Sequence, residues 1–344
     1  MTPRSIALGA AVLLSVSGLA ACGNAPDDAA SSVASRLPPG GHATTDEPFE
    51  PIPQQVSLDP RRVELGRRLF EDPALSGSGE RACVDCHDLG AGGIVPGEAR
   101  SNHPRNATGP YNVPTVFNVA YNFRFNWNGK FETLEGHLSG PMMRPEVMDA
   151  GSWDDVVGRI RDSYRDDFAE AGYEGGVTED NVRHALATYE RALITPNSRF
   201  DRYLRGEIEL TEREARGYEL FKTVGCKTCH QGINVGGNLF QRFGVVEDAF
   251  EGRPITERDM GRYLVTGDED DAHVFRVPSL RNVEVTAPYF HDGSAETLEE
   301  AVEHMGRVQL GYLLTDEEVK DIVAFLRTLT GTLHGTSLAK DRGG

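Results

Sequence analysis

Two pentapeptides, CVDCH (83–87) and CKTCH (226–230), each place two thiols three positions apart with an imidazole directly after the second. That pattern attaches haem c: the thiols add to the two vinyl groups and the histidine reaches the iron as its proximal ligand. Paired Cys-x-x-Cys also builds four-cysteine zinc sites. Zinc does not need a histidine after both pairs. Two covalent haems are therefore expected, one on Cys83, Cys86 and His87 and one on Cys226, Cys229 and His230.

A second pair of stretches bears on the irons. WNGKFETLEGHLSGP (127–141) and HDGSAETLEEAVEHM (291–305) have equal length, share a Gly near the start and share Glu-Thr-Leu-Glu. One ends in Pro141 and the other in Met305. A thioether is a suitable sixth ligand for haem iron, and His/Met ligation raises the reduction potential. Proline has no donor atom. Met305 is expected to close the second iron, while the first stays open to a small molecule. An open haem beside a high-potential one suits hydrogen peroxide. A nearby acid/base would carry a proton from the inner to the outer peroxide oxygen as the O–O bond breaks. His103, His137 and Glu146 are the candidates. Trp127 stands where the second copy has His291, and an oxidisable indole there could relay electrons.

The elements that must position these residues read as helices. Asp59-Pro60 opens one with Leu65 and Leu69 on one face. Val156, Ile160, Tyr164 and Phe168 recur at four-residue spacing, as do Val182 and Leu186, followed by Tyr189 and Leu193. Thr211 with Glu214 and Thr315 with Glu318 form capping boxes. Strand signals are few. The repeat extends further: LGRRLF and RGYELF precede the haem motifs, a Gly-Gly pair follows each, and NVPTVFNV (112–119) matches RVPSLRNV (276–283). The expected fold is mainly α, with two cytochrome c-like haem domains related by this repeat, long loops and little strand. The expected organisation is a signal peptide over 1–21, a flexible tether over 22–55, an N-terminal haem domain over 56–175 and a C-terminal haem domain over 176–344.

Composition sets the class. Of 344 residues 39% are hydrophobic and 26% charged, enough for a large core. The net charge of −18 argues against nucleic acid and suits a small basic redox protein. The start, MTPRSIALGAAVLLSVSGLAAC, has an early positive charge, an apolar stretch and small residues, which is a secretory pattern. Its ending LAAC resembles a bacterial lipobox. Cys22 is then the lipidated first residue of a periplasmic protein held at the outer membrane by that anchor alone.

From about Leu58 to Thr330 the chain resembles the bacterial dihaem cytochrome c peroxidase and MauG superfamily. The resemblance rests on both Cys-x-x-Cys-His motifs, GPYNVPTVFN, LEGHLSGP, RVPSLRNVEVTAPYFHDG and EAVEHMGRVQLG. It implies a peroxidatic N-terminal haem and an electron-transferring C-terminal haem. Met305 matches the methionine ligand of the peroxidases, where MauG has tyrosine, and Trp127 matches the inter-haem tryptophan. Asn112, Thr286 and Pro288 match an inter-domain calcium site, the last two through backbone carbonyls.

Some positions depart from the family pattern. His137 stands at the distal glutamine position. Val147 fills the slot of the catalytic glutamate, with Glu146 one residue early. His103 matches the distal-loop histidine with a one-residue offset. NFRFNWNGKFETLEGHL, TPNSRFDRYLRGE and CHQGINVGGNLFQ look more like the MbnH-type subgroup, whose known member oxidises a tryptophan of a partner protein. The implied functions are a peroxidase fed by a small redox donor, a peroxide-dependent oxidase of an exported partner protein, or a non-enzymatic dihaem electron carrier. A homodimer is compatible with each.

Overall fold

Each half of the molecule is built where a glycine lets two helices cross. The computed structural model describes residues 47–94 and 111–339. In the first half, α1 (Pro60–Phe70) starts at the Asp59 cap, whose side chain accepts the Arg61 N–H, with Pro60 in its first turn. It packs on α4 (Glu179–Ala192). At their crossing, a Cβ on Gly66 would lie 2.1 Å from the Ala185 carbonyl oxygen, so no larger residue allows this approach. The second half repeats the device. Helix α6 (Glu212–Thr223) crosses α9 (Asp316–Arg327), and a Cβ on Gly217 would lie 1.8 Å from the Asp321 carbonyl oxygen. Gly66 and Gly217 are the glycines of LGRRLF and RGYELF.

Between these pairs the repeat governs the loops. Asn118 and Asn282 both take left-handed backbone, at φ 57° and 61°. Isolated bridges join Phe125 to Phe131 and Tyr289 to Ala295. Thr133 then caps α2 (Leu134–Met143), and Thr297 caps α8 (Leu298–Leu310). In the first half α3 (Trp153–Glu170) starts with a Ser152–Asp155 capping box. It buries Val156, Ile160, Tyr164 and Phe168 along one face, about 1.5–3 kcal/mol of transfer free energy for each such apolar side chain. Short helices α5 (Arg199–Leu204) and α7 (Tyr263–Thr266) complete the helical set among the described residues. Strand content is small. The antiparallel pairs are β1 (Phe240–Arg242) with β2 (Val274–Arg276), and β3 (Thr332–Leu333) with β4 (Thr336–Ser337). The mainly helical, repeated architecture matches the sequence expectation.

Two expectations about boundaries need correction. The first core contains Val182, Leu186 and Tyr189 of α4, and α4 is the first half's counterpart of α9. A break at 175/176 would strip that core of its closing helix. The chain passes between cores near Thr195, whose hydroxyl and N–H bond Asn118 and whose hydroxyl also accepts from Asn282. Nor is the segment up to residue 55 all tether. From Glu47 onward it docks on the second core: Phe49 is buried among Phe200, Tyr218 and Phe221, and the Ile52 N–H is donated to Asp201 at 3.0 Å. A large apolar ring in this position gains more from burial than the segment's composition suggests. Leu333 and Leu338, at the other end, pack against the first core. The leader, Cys22 and the tether as far as residue 46 lie outside the described residues. Among the described residues no helix is long and apolar enough to cross a membrane.

Candidate functional site

Each haem motif forms a tight 3-10 turn. In the first, the Cys86 and His87 N–H groups are donated to the Cys83 carbonyl at 3.2 and 2.9 Å. In the second, the Cys229 and His230 N–H groups are donated to the Cys226 carbonyl at 3.2 and 3.0 Å. All four thiols are free of disulfides. His87 Nδ1 lies 3.1 Å from the Gly93 carbonyl and His230 Nδ1 3.4 Å from the Val235 carbonyl. Engaging Nδ1 in this way orients the ring and suits Nε2 to a metal. Burial pushes His230 down to about 4, which keeps the imidazole in its metal-binding neutral form.

A cavity reaches both turns. Its walls include Cys83, His87, His137 and Pro141 from the first half, and Cys226, His230 and Met305 from the second. Trp127 and Arg276 also line it. Haem fits this cavity on a further observation. Arg276 is 5% exposed, yet among the described residues no carboxylate pairs with it. Its guanidinium makes only long bonds, 3.3–3.4 Å, to the Val277 and Asn126 carbonyls and Asn122 Oδ1. Burial pushes it down to about 10. Arg281, equally buried, has Asp201 at 2.7 Å. A buried guanidinium without a carboxylate is costly, and the carboxylates of a bound haem would supply the missing counter-charge.

Besides the haem-motif residues, the first-half wall carries two titratable groups, His137 and Glu190. His137, on α2, has Phe125 and Phe131 as ring neighbours at 6.1 and 5.5 Å. Burial first, then the charges of His87 and Arg276, push it down to about 4. It is therefore a neutral proton acceptor near pH 7. Glu190, on α4, is pushed up to about 8 by burial, so it is a neutral acid there. Pro141 and Met305 both follow their caps, Thr133 and Thr297, by eight residues and both line the cavity.

The family model described as di-haem cytochrome c peroxidase matches residues 60–209, and a cytochrome c model matches 214–330. The chain is 41% identical to the cytochrome c551 peroxidase of Nitrosomonas europaea, over 85% of this chain and 86% of that protein. The chain belongs to the dihaem cytochrome c peroxidase family. It is also 43% identical to cytochrome c peroxidase Ccp of Escherichia coli over 83% of this chain, but spans only 61% of that longer relative. A solved structure of a MauG-like protein associated with microbial copper homeostasis superposes with a TM-score of 0.67 at 29% identity, covering 82% of this chain and 93% of that one. The family's named peroxidases are oxidoreductases, and its two cytochrome c domains carry haem c.

Within this dihaem peroxidase fold, the remaining sequence candidates divide. Trp127 is buried and donates its indole N–H to the Asn112 carbonyl at 2.8 Å. Glu146 is a correction. It is exposed, paired with Arg144 at 3.6 Å, and does not line the cavity, whereas its neighbour Val147 does. The turn after α2 points one side chain of this adjacent pair inward and the other to water. His103 lies outside the described residues. Asn112, Thr286 and Pro288 all line the cavity, and Asn112 Nδ2 is donated to the Pro288 carbonyl at 2.7 Å and the Phe290 carbonyl at 3.0 Å. In this arrangement the amide gathers those carbonyls through its nitrogen; holding a cation would require its oxygen to turn inward.

Sequence reasoning missed Arg276, Glu190 and Asp259, whose carboxylate lies 2.7 Å from Nε2 of His291, the ring next to Trp127. Arg276 is the repeat counterpart of Asn112, which was a usable signal. Glu190 follows Leu186 by four residues and so shares its buried face, another signal. Asp259 carried none.

Proposed function

We propose that this protein reduces hydrogen peroxide in the cavity half held by Cys83, Cys86 and His87, drawing electrons through the half held by Cys226, Cys229, His230 and Met305. Bound haem supplies the iron redox chemistry that cleaves the O–O bond. The chain's own residues do the rest. The observation that carries the reading is the contrast between two equivalent wall positions: Pro141 offers no ligand where Met305 offers a thioether. His137, neutral and on the same helix as Pro141, accepts the proton of incoming peroxide and returns it to the outer oxygen. Trp127 relays electrons between the halves. The relatives at 43% and 41% identity are peroxidases, so a small redox protein is the favoured donor, and the −18 net charge suits a basic one.

The finer parts of this reading are a calcium ion gathered by the Asn112 side chain with the Thr286 and Pro288 carbonyls, and a periplasmic protein anchored through a lipidated Cys22. A second reading, peroxide-dependent oxidation of a tryptophan on a partner protein, draws on the likeness to the MauG-like structure. Steady-state turnover of reduced cytochrome c with peroxide tests the first reading, together with EPR of the haem-loaded protein. Two six-coordinate haems that do not respond to one equivalent of peroxide would leave only an electron carrier. Modification of a partner tryptophan without cytochrome turnover would favour the second reading.

A further inference from the structure

The Trp127 indole N–H is donated to a backbone carbonyl, which cannot take its proton. One-electron oxidation therefore leaves a cation, in a buried place where an uncompensated charge is costly. The ring edge-on to Trp127 is His291, 6.4 Å between centroids. His291 Nε2 is 2.7 Å from Asp259 Oδ1, and Asp259 is 0% exposed. One guanidinium serves two carboxylates here. Arg253 bonds Asp259 at 2.8 and 2.9 Å and Asp292 at 3.0 Å. Thr256 donates both its N–H and its hydroxyl to Asp259 at 2.7 Å. Burial opposes ionisation of Asp259, but the bonds from His291, Arg253 and Thr256 outweigh it and hold the carboxyl well below the usual range. Within this cluster two carboxylates against one guanidinium leave a formal −2 + 1 = −1, His291 not counted. Asp259, His291 and Asp292 are close enough to grip a metal ion, but Arg253 already bridges the carboxylates.

We propose that Asp259, through His291, and Asp292 form an anionic support that lets Trp127 carry a positive charge while electrons pass between the domains. The proposal rests on Trp127 being the electron relay. In each passage Trp127 gives one electron toward the Cys83/Cys86/His87 side and regains one from the Cys226/Cys229/His230 side. Its Nε1 proton stays in place. Two passages with two solvent protons balance the reaction, H2O2 + 2e− + 2H+ → 2H2O, the electrons coming from the redox-protein donor. Asp259 and Asp292 touch neither peroxide nor haem in this scheme; they are positioning residues for charge.

The test uses haem-loaded protein with indole-deuterated tryptophan, one equivalent of peroxide and freeze-quench EPR. The expected result is a tryptophan cation signal that Trp127→Phe abolishes. Asp259→Asn and Asp292→Asn should each cut its yield or lifetime at least about tenfold, as expected for removing one buried charge nearby. Asp292→Glu should restore it. Full signal in both Asn variants overturns the anionic support while leaving the relay intact. No tryptophan signal in the unaltered protein, with full turnover in Trp127→Phe, removes the relay and this proposal with it. If Asp259→Asn does not fold, Asp292→Asn decides alone, because among the described residues Asp292 accepts hydrogen bonds only from Arg253 and the Ser294 N–H.

Discussion

Asn112 and Arg276 hold the same place in the two halves and make the same bond across them. The Asn112 N–H is donated to the His291 carbonyl at 2.7 Å, and the Arg276 N–H to the Trp127 carbonyl at 2.9 Å. Trp127 and His291 are themselves equivalent positions. The interface is therefore reciprocal, as between the subunits of a two-fold dimer. Within that symmetric frame the side chains differ. One half contributes an indole and an amide, the other an imidazole tied to Asp259 and a guanidinium with no carboxylate partner among the described residues. Duplication supplies the frame, and substitution at paired positions separates the two roles.

The first substitution to test is Pro141→Met. It puts a thioether where Met305 stands in the other half. The N-terminal haem should become low-spin by EPR, and its reaction with peroxide should slow by about tenfold or more. A haem that stays high-spin and fully reactive would mean that the two wall positions are not equivalent.

His137 sets a pH limit. Its value near 4, against an ordinary 6.5, keeps it a proton acceptor until the pH falls through about 4. The acid limb of kcat/KM for peroxide should therefore lie near 4 and not near 6.5. His137→Phe should lower kcat/KM by about 10²–10⁴-fold and remove that limb. An unchanged limb in the variant would assign the proton transfer to another group.

Glu190 links pH to stability with the opposite sign. Its folded value, about 8, lies above the ordinary 4.5, so the folded state holds the proton more tightly. The contribution is fully present below 4.5 and is lost as pH rises through about 8. Denaturant midpoints of Glu190→Gln should vary less over that window than those of the unaltered protein. Parallel curves would show that Glu190 is not buried and neutral.

The glycines separate close approach from mere flexibility. Gly66→Ala and Gly217→Ala push a methyl into a backbone carbonyl and should each cost about 2–3 kcal/mol, read as a lower unfolding midpoint. Gly158, inside α3, has nothing within 4 Å of its would-be Cβ. Gly158→Ala should stabilise by about 0.5–1 kcal/mol. Equal effects at all three sites would contradict the crossing geometry.

What could be read along the chain was whatever depends on spacing. The haem turns need their residues adjacent, helix caps need a partner three residues away, and the repeat announces itself as matched motifs in matched order. Hence the two haem-attachment motifs, the helical class and the Pro141–Met305 contrast were all available from residue types alone.

The tertiary structure decided which side chain of a neighbouring pair faces inward, and which distant groups meet. Glu146 and Val147 differ by one position, and only the turn after α2 sends the acid to solvent and the valine to the cavity. Phe49 and Phe200 are 151 residues apart by number, yet their rings pack at 5.6 Å. Asp259 reaches Trp127 only through His291, and it is the packing of whole elements that buries Arg276 with no carboxylate beside it among the described residues. Local pattern carries no record of such contacts. Direction and burial are set by the packing of whole elements, and it is burial that turns an ordinary histidine, glutamate or arginine into one with altered chemistry.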